Sequence, residues 1–175
     1  MSIFDRLAVC FAGAALLASG TGVAGPDFGR PATADEVAAW DISIPPDGRG
    51  LPPGSGTVKQ GAGVYTAKCL ACHGEKGVGK PADALVGGIG TLATATPLKT
   101  VGSYWPYATT LFDYVRRAMP YDKPMSLSSD EVYAVSAYIL SLNGIITEDA
   151  TMDAGTLPKV KMPNRNGFVD YWRQR

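Results

Sequence analysis

The pentapeptide Cys69-Leu70-Ala71-Cys72-His73 constrains the fold more than any other feature of this 175-residue chain. Two cysteines separated by two residues and followed directly by a histidine form the signature of covalent c-type haem attachment. Each thiol can add to one vinyl group of a porphyrin, which leaves the histidine beneath the iron as its axial ligand. The motif therefore predicts one covalently bound haem c, attached at Cys69 and Cys72 and ligated by His73.

Other uses of the same motif need a context that the sequence lacks. A thioredoxin-type redox pair would need a surrounding βαβ pattern, and none is visible. A zinc site needs about four ligands, and after residue 24 the chain offers two cysteines and one histidine. A disulfide across two intervening residues is sterically poor and would leave His73 without a role. Haem attachment is the interpretation that the context favours.

The second axial ligand of the iron cannot be a histidine of this chain, because His73 is the only one. A methionine thioether, a lysine amine and an open site remain. We favour Met119, which follows a predicted helix and precedes Pro120, a residue that stiffens the loop before the next helix. Met125 lies in the same loop and remains the competing candidate.

Residues 1–24 have the pattern of an export signal. Arg6 ends a short first region, Leu7–Ser19 is apolar, and Gly22–Ala24 supplies small residues before a cleavage site. The apolar run is shorter than the roughly 20 residues of a membrane-spanning helix. The sequence therefore predicts a periplasmic protein without a stable membrane span.

The amino-acid composition argues against nucleic-acid binding and indicates an irregular, loop-rich fold. The chain has 16 basic and 16 acidic side chains, so it lacks the net basicity of a nucleic-acid-binding protein. With 21 glycines and 13 prolines, many of its connections must be irregular. A single domain with extensive loops is expected, and no nucleic-acid partner.

Apolar periodicity predicts an all-α fold and no strand. The helix at Ser129–Leu142 has the clearest signals, with Ser128 and Glu131 as a capping box and Asn143-Gly144 as its stop. Residues 74–107 are rich in glycine and lack periodicity, which indicates a long loop organised by a ligand. The predicted helices are Thr33–Trp40, Val58–Cys69, Thr109–Ala118 and Ser129–Leu142.

The predicted domain organisation has four parts. The signal peptide at 1–24 is followed by an extended N-terminal arm at 25–56, a haem domain at 57–146 and a C-terminal extension at 147–175. Paired prolines favour an extended conformation for the first arm. Each arm can serve either as a strap on its own domain or as a docking surface for a partner.

The motif and its surroundings resemble the class I cytochromes c. Gly61 and Tyr65 precede Cys69 at four-residue intervals, and Met119-Pro120 is followed by a helix that carries Tyr138. The resemblance implies the class I cytochrome c fold, here with long irregular arms, in which the first and last helices cross at the glycine and the aromatic residues. Lys80 separates Gly79 from Pro81, so the acceptor for the N–H of His73 stays open.

Longer blocks resemble the cytochrome subunit of sulfite and sulfane dehydrogenases. This resemblance implies a periplasmic partner, a molybdenum-containing catalytic subunit that oxidises reduced sulfur compounds and passes electrons to the haem. Larger members resemble two haem domains in tandem, whereas this chain has one motif and can carry one haem. The blocks are Asp47–Gly56, Gly90–Ala93, Lys99–Pro120 and Leu157–Phe168.

We therefore expect an electron-transfer subunit that passes electrons to a downstream cytochrome c and has no catalytic residue of its own. Thioether ligation would raise its reduction potential. Trp105 and Tyr107 are expected to contact the haem, as are Leu85 and Leu111, and Arg116 and Arg117 are candidates for pairing with its propionates. Two alternatives remain: a free-standing periplasmic carrier, and a haem enzyme or gas sensor with an open sixth position.

Overall fold

The computed structural model describes residues 29–174, so the predicted export signal at 1–24 lies outside the described residues. Contacts divide the chain into one unit ending at Asp41 and a second, Ile42–Arg175. The division thus falls before the boundary expected at residue 57. Within the described residues of the first unit, helix α1, Ala34–Trp40, is capped by Thr33, whose side chain accepts the Glu36 N–H. No helix within 29–174 is long and apolar enough to cross a membrane.

The second unit is mostly helical. Helix α5, Ser129–Leu142, has the predicted bounds; α4, Ala108–Ala118, begins one residue earlier than predicted, and α2, Val58–Lys68, ends one residue earlier. The capping box of α5 is present, with the Ser128 hydroxyl accepting the Glu131 N–H and the Glu131 carboxylate accepting the Ser128 N–H at 2.8 Å. The α-helices of this unit are α2 (Val58–Lys68), α3 (Leu70–His73), α4 (Ala108–Ala118) and α5 (Ser129–Leu142). Short 3₁₀ turns occupy Glu75–Gly77, Leu157–Lys159 and Tyr171–Gln174.

Helices α2 and α5 cross in close contact. A Cβ atom at Gly61 would overlap the carbonyl oxygen of Ala134, so only glycine permits this approach of the two backbones. One turn further along each helix, the rings of Tyr65 and Tyr138 lie 5.3 Å apart. The crossing implied by the resemblance to class I cytochromes is therefore confirmed at these residues.

A short antiparallel ladder joins the two arms, and the sequence did not predict it. Strand β1, Ser55–Thr57, pairs with β2, Thr151–Asp153, with Gly56 opposite Met152. Three-residue strands are too short for apolar alternation to appear in the sequence. The expectation of a purely α-helical fold is therefore corrected to a mostly helical one with one two-stranded ladder.

Both arms pack on the helices within the second unit. Ile44 is buried, and its N–H donates to the carboxylate of Asp113 on α4 at 3.1 Å. In the C-terminal extension, Leu157, Val160 and Met162 are buried in the core. Over these residues the arms act as straps on their own unit.

Candidate haem site

A cavity of about 500 Å³ lies between the C-terminal end of α2, the loop before α4, and helices α4 and α5. Cys69, Cys72 and His73 line it together with Met119, although this methionine is separated from the motif by more than 40 residues. The helices contribute an apolar wall to the same cavity, formed by Leu111, Val115, Val135 and Ile139.

The motif is placed by a break between two helices. Helix α2 ends at Lys68, and Cys69 leaves helical geometry with φ −122° before the single turn of α3 begins. Both cysteines are free thiols, Cys69 half-buried and Cys72 exposed. Burial raises the pKa of the Cys69 thiol to about 11, and the neighbouring Cys72 adds to the effect. Cys69 is therefore a neutral thiol at neutral pH, and the structure contains no disulfide between the two cysteines.

The ring of His73 is oriented by a backbone carbonyl. Its Nδ1 atom lies 2.9 Å from the carbonyl oxygen of Asp83. A carbonyl can only accept a hydrogen bond, so Nδ1 carries the proton and Nε2 is the nitrogen available to a metal. The sequence left open which carbonyl accepts the N–H of His73. The structure shows that it is the carbonyl of Asp83, which follows the Gly79-Lys80-Pro81 segment.

The loop that carries this carbonyl is tied down on both sides. The N–H of Gly79 donates to the carbonyl of His73 at 2.8 Å, and the N–H of Ala82 donates to that of Cys72 at 2.8 Å. These two bonds return the chain to the motif immediately before Asp83. These hydrogen bonds to the haem motif therefore fix the position of the Asp83 carbonyl, which accepts the N–H of the His73 ring.

Asn143 fixes the next part of the loop and was not identified from the sequence as a site residue. Its side-chain oxygen accepts the N–H of Gly87 at 3.1 Å, and its Nδ2 donates to the carbonyls of Leu85 at 3.2 Å and Ile139 at 2.9 Å. In the sequence, Asn143-Gly144 indicated only the end of a helix. The buried amide also anchors the loop that follows Asp83.

The structure separates the two candidate methionines. Met119 caps the C-terminal end of α4, where its N–H donates to the carbonyl of Val115 at 3.1 Å, and it lines the cavity. Met125 is 60% exposed and is not among the residues that line the cavity. Two residues after Met125 in the same loop, Leu127 is partly buried and lines the cavity.

The aromatic residues expected at the haem divide into two groups. Trp105 lines the cavity, whereas Tyr107 does not and instead has the guanidinium of Arg165 over its ring at 4.6 Å. Tyr114, which is 47% exposed, also lines the cavity and packs edge-on against Trp105, with the ring centres 5.6 Å apart. Leu85 and Leu111 line the cavity as expected.

The arginines at the end of α4 do not line the cavity. Arg117 pairs with Asp113 one turn earlier on the same helix, and that carboxylate also accepts the N–H of Ile44. This arrangement ties the last turn of α4 to the N-terminal arm. Arg116 is half-buried and is not among the lining residues either.

The donor set of the cavity fits a haem better than a bare metal ion. One imidazole and one thioether line it, and within residues 29–174 no group of three His, Cys, Asp or Glu could hold a metal on its own. A macrocycle that supplies four nitrogen ligands needs only these two. The cavity volume lies within the range of about 300–1,000 Å³ of small-molecule and cofactor sites.

The chain is similar to a known protein family and to a solved structure. Residues 56–139 match the family described as cytochrome c oxidase, cbb3-type, subunit III. The chain is also similar to a chain in the crystal structure of the sulfane dehydrogenase SoxCD from Paracoccus pantotrophus. The two are 40% identical, with a TM-score of 0.78, over 85% of this chain and 74% of that one. Among curated proteins, none is significantly similar to the chain.

Proposed function

Because the chain belongs to the c-type cytochromes, in the family of the cytochrome subunit of sulfite and sulfane dehydrogenases, we propose that it is a periplasmic monohaem electron-transfer subunit. Its electron donor in this proposal is a molybdenum-containing sulfite or sulfane dehydrogenase subunit. Its acceptor is a downstream cytochrome c. The bond-making chemistry belongs to the donor, and this chain carries no catalytic residue.

One observation carries the proposal. The similarity to the sulfane dehydrogenase structure extends over 85% of the chain, whereas the general cytochrome family matches residues 56–139 alone. The relationship to sulfane dehydrogenase therefore includes part of the arms.

The proposed haem ligands are His73 and Met119, with thioether bonds from Cys69 and Cys72. A haem bound there would supply one-electron chemistry between Fe(III) and Fe(II). The carbonyl of Asp83 fixes the imidazole tautomer and increases the basicity of Nε2. The Met119 thioether favours the reduced state and raises the reduction potential, which suits an acceptor of electrons.

The apolar wall has its own role in electron transfer. Leu111, Val115 and Ile139 are almost completely buried even though they line the cavity. They exclude water from the region where a charge changes during each transfer. Fewer reorienting water molecules mean a smaller solvent rearrangement and a faster reaction.

Both alternative functions remain distinct from this proposal. An enzyme or gas sensor needs an open sixth position, and the place of Met119 in the cavity argues against one. A free-standing carrier would use the same haem residues. It differs only in lacking a stable complex with a molybdenum subunit.

Reconstitution with a molybdenum subunit tests the proposal. We expect the oxidised cytochrome, matured with haem in an export-competent host, to be reduced when sulfite or a protein-bound persulfide is added with the dehydrogenase subunit. Substrate without that subunit is the control for direct chemical reduction. No reduction with either substrate, by a subunit that is active toward an artificial acceptor, would show that the proposed donor is wrong.

A further inference from the structure

The C-terminal extension contains a basic segment, although the chain as a whole has no net charge. Residues 157–168, here called the basic loop, contain Lys159, Lys161 and Arg165 and no acidic residue. None of the ion pairs formed within the described residues involves these three side chains. The basic loop also lies outside the region 56–139 that matches the general cytochrome family.

The basic loop is anchored by apolar side chains that are buried in the core, and its charged side chains are exposed to solvent. Leu157, Val160 and Met162 are buried in the core, whereas Lys159 and Lys161 between them are exposed. Farther along, the side-chain amide of Asn164 donates to the carbonyl of Tyr104 at 2.7 Å. A charged surface fixed in this way loses little conformational entropy when a partner binds.

The basic loop is also connected to the wall of the haem cavity. Arg165 lies over the ring of Tyr107, at 4.6 Å. The ammonium group of Lys99 lies 5.2 Å from the centre of the Tyr104 ring, which packs edge-on against Phe168. Lys99 and Trp105 line the cavity itself. These contacts therefore connect the basic loop to Lys99 on the cavity wall, which also carries the carboxylates of Asp83 and Asp122.

We propose that the basic loop and Lys99 form the docking surface for an acidic surface of the electron-donating protein. This inference rests on the proposed function and adds the chemistry of the partner. Complementary charges increase association rates and fix the orientation of two proteins. A partner docked here lies against the segment that supplies Trp105 to the cavity, so orientation by charge brings its redox centre to the haem side.

Charge reversal on the basic loop tests the inference in the holoprotein. We expect Lys161→Glu to slow reduction by the molybdenum dehydrogenase subunit about tenfold at low ionic strength, and K159E/K161E to slow it further. The difference should shrink as salt is added, because exposed charges are screened beyond about 10 Å at 0.1 M. The matched control is Lys76→Glu, which changes net charge equally on the exposed loop after His73.

The outcomes separate this inference from the proposed function. A wild-type cytochrome that the dehydrogenase does not reduce would overturn both. Normal reduction of the wild type, with K161E and K76E slowed equally or neither slowed, would overturn the docking surface alone. Slowing of K161E only in the transfer to the downstream cytochrome would also overturn it, since the surface would then serve the acceptor. Unchanged absorption spectra and melting temperatures exclude misfolding as the cause.

Discussion

The Nδ1 atom of His73 lies 2.9 Å from the carbonyl oxygen of Asp83, ten residues farther along the chain. The proposed proximal ligand is thus oriented by the backbone of a loop, and Asn143 holds that loop through Leu85 and Gly87. The side chain of Asn143 can therefore influence His73 only through this loop. It is a positioning residue that does not itself line the cavity.

Replacing Asn143 with Ala should change both stability and potential. The change leaves the partly buried carbonyl of Leu85 and N–H of Gly87 without their side-chain partner, which costs about 1–3 kcal/mol of unfolding free energy. A less firmly held Asp83 carbonyl also makes the imidazole a weaker electron donor to the iron. Because electron donation by the ligand favours Fe(III), the midpoint potential should rise. Denaturant unfolding and a redox titration measure the two effects. A loss of stability with an unchanged potential would show that Asn143 has no influence on His73.

Replacing Tyr133 with Phe provides the matched control and a separate pH test. The hydroxyl donates to the carbonyl of Pro52 at 2.9 Å, and Tyr133 does not line the cavity. Its loss should cost about 1 kcal/mol near neutral pH and leave the haem potential unchanged.

The same substitution should alter the stability at alkaline pH. Burial raises the pKa of Tyr133 to about 12, and the carboxylate of Asp153 adds to the shift. In the unfolded chain the phenol ionises near pH 10, so its folded-state stabilisation is lost as pH rises between about 10 and 12. The Y133F variant lacks this loss, so the difference in unfolding free energy between the two proteins should narrow over this pH range. A difference in unfolding free energy that stays constant from pH 8 to about 12 would contradict the raised pKa of Tyr133 in the folded protein.

Gly61→Ala should destabilise the crossing of α2 and α5. The added methyl group would overlap the carbonyl oxygen of Ala134, and forced overpacking costs about 1–3 kcal/mol. Gly63 offers the control on the same helix, because a Cβ there meets nothing within 4 Å. Gly63→Ala should raise stability by up to about 1 kcal/mol through helix propensity. Equal effects of the two variants in thermal unfolding would argue against the crossing.

Met119→Ala should abolish the methionine-to-iron charge-transfer band of the oxidised protein and lower its midpoint potential. Met125→Ala is the matched control, since Met125 is 60% exposed and outside the cavity lining. The band should persist in that variant. A band that survives in the first variant and disappears in the second would assign the ligand to Met125.

Local signals in the sequence predicted the helices well. The capping box at Ser128 and Glu131 and the Asn-Gly stop fix both ends of α5, and each depends on residues within a few positions of the helix end. The long glycine-rich loop was predicted for the same local reason. In these segments, the neighbouring residues decide the conformation.

Other features depend on contacts distant in sequence, and the sequence alone did not reveal them. Strand β1 pairs with β2 almost 100 positions away, and the side chain of Asn143 reaches Leu85 across 58 positions. Tyr107 was expected to contact the haem, but it does not line the cavity and its ring packs against Arg165 of the C-terminal extension. No local pattern specifies such a partner.

Covalent attachment of one haem at Cys69 and Cys72 is the central claim of this account. Intact-mass spectrometry after acid–acetone extraction tests it most directly, on protein produced in an export-competent host that matures haem. The polypeptide should keep the added mass of a single haem, and the double variant Cys69→Ala with Cys72→Ala should lose it. Recovery of the wild-type chain at its unmodified polypeptide mass, with the haem in the solvent or none present, would contradict the claim.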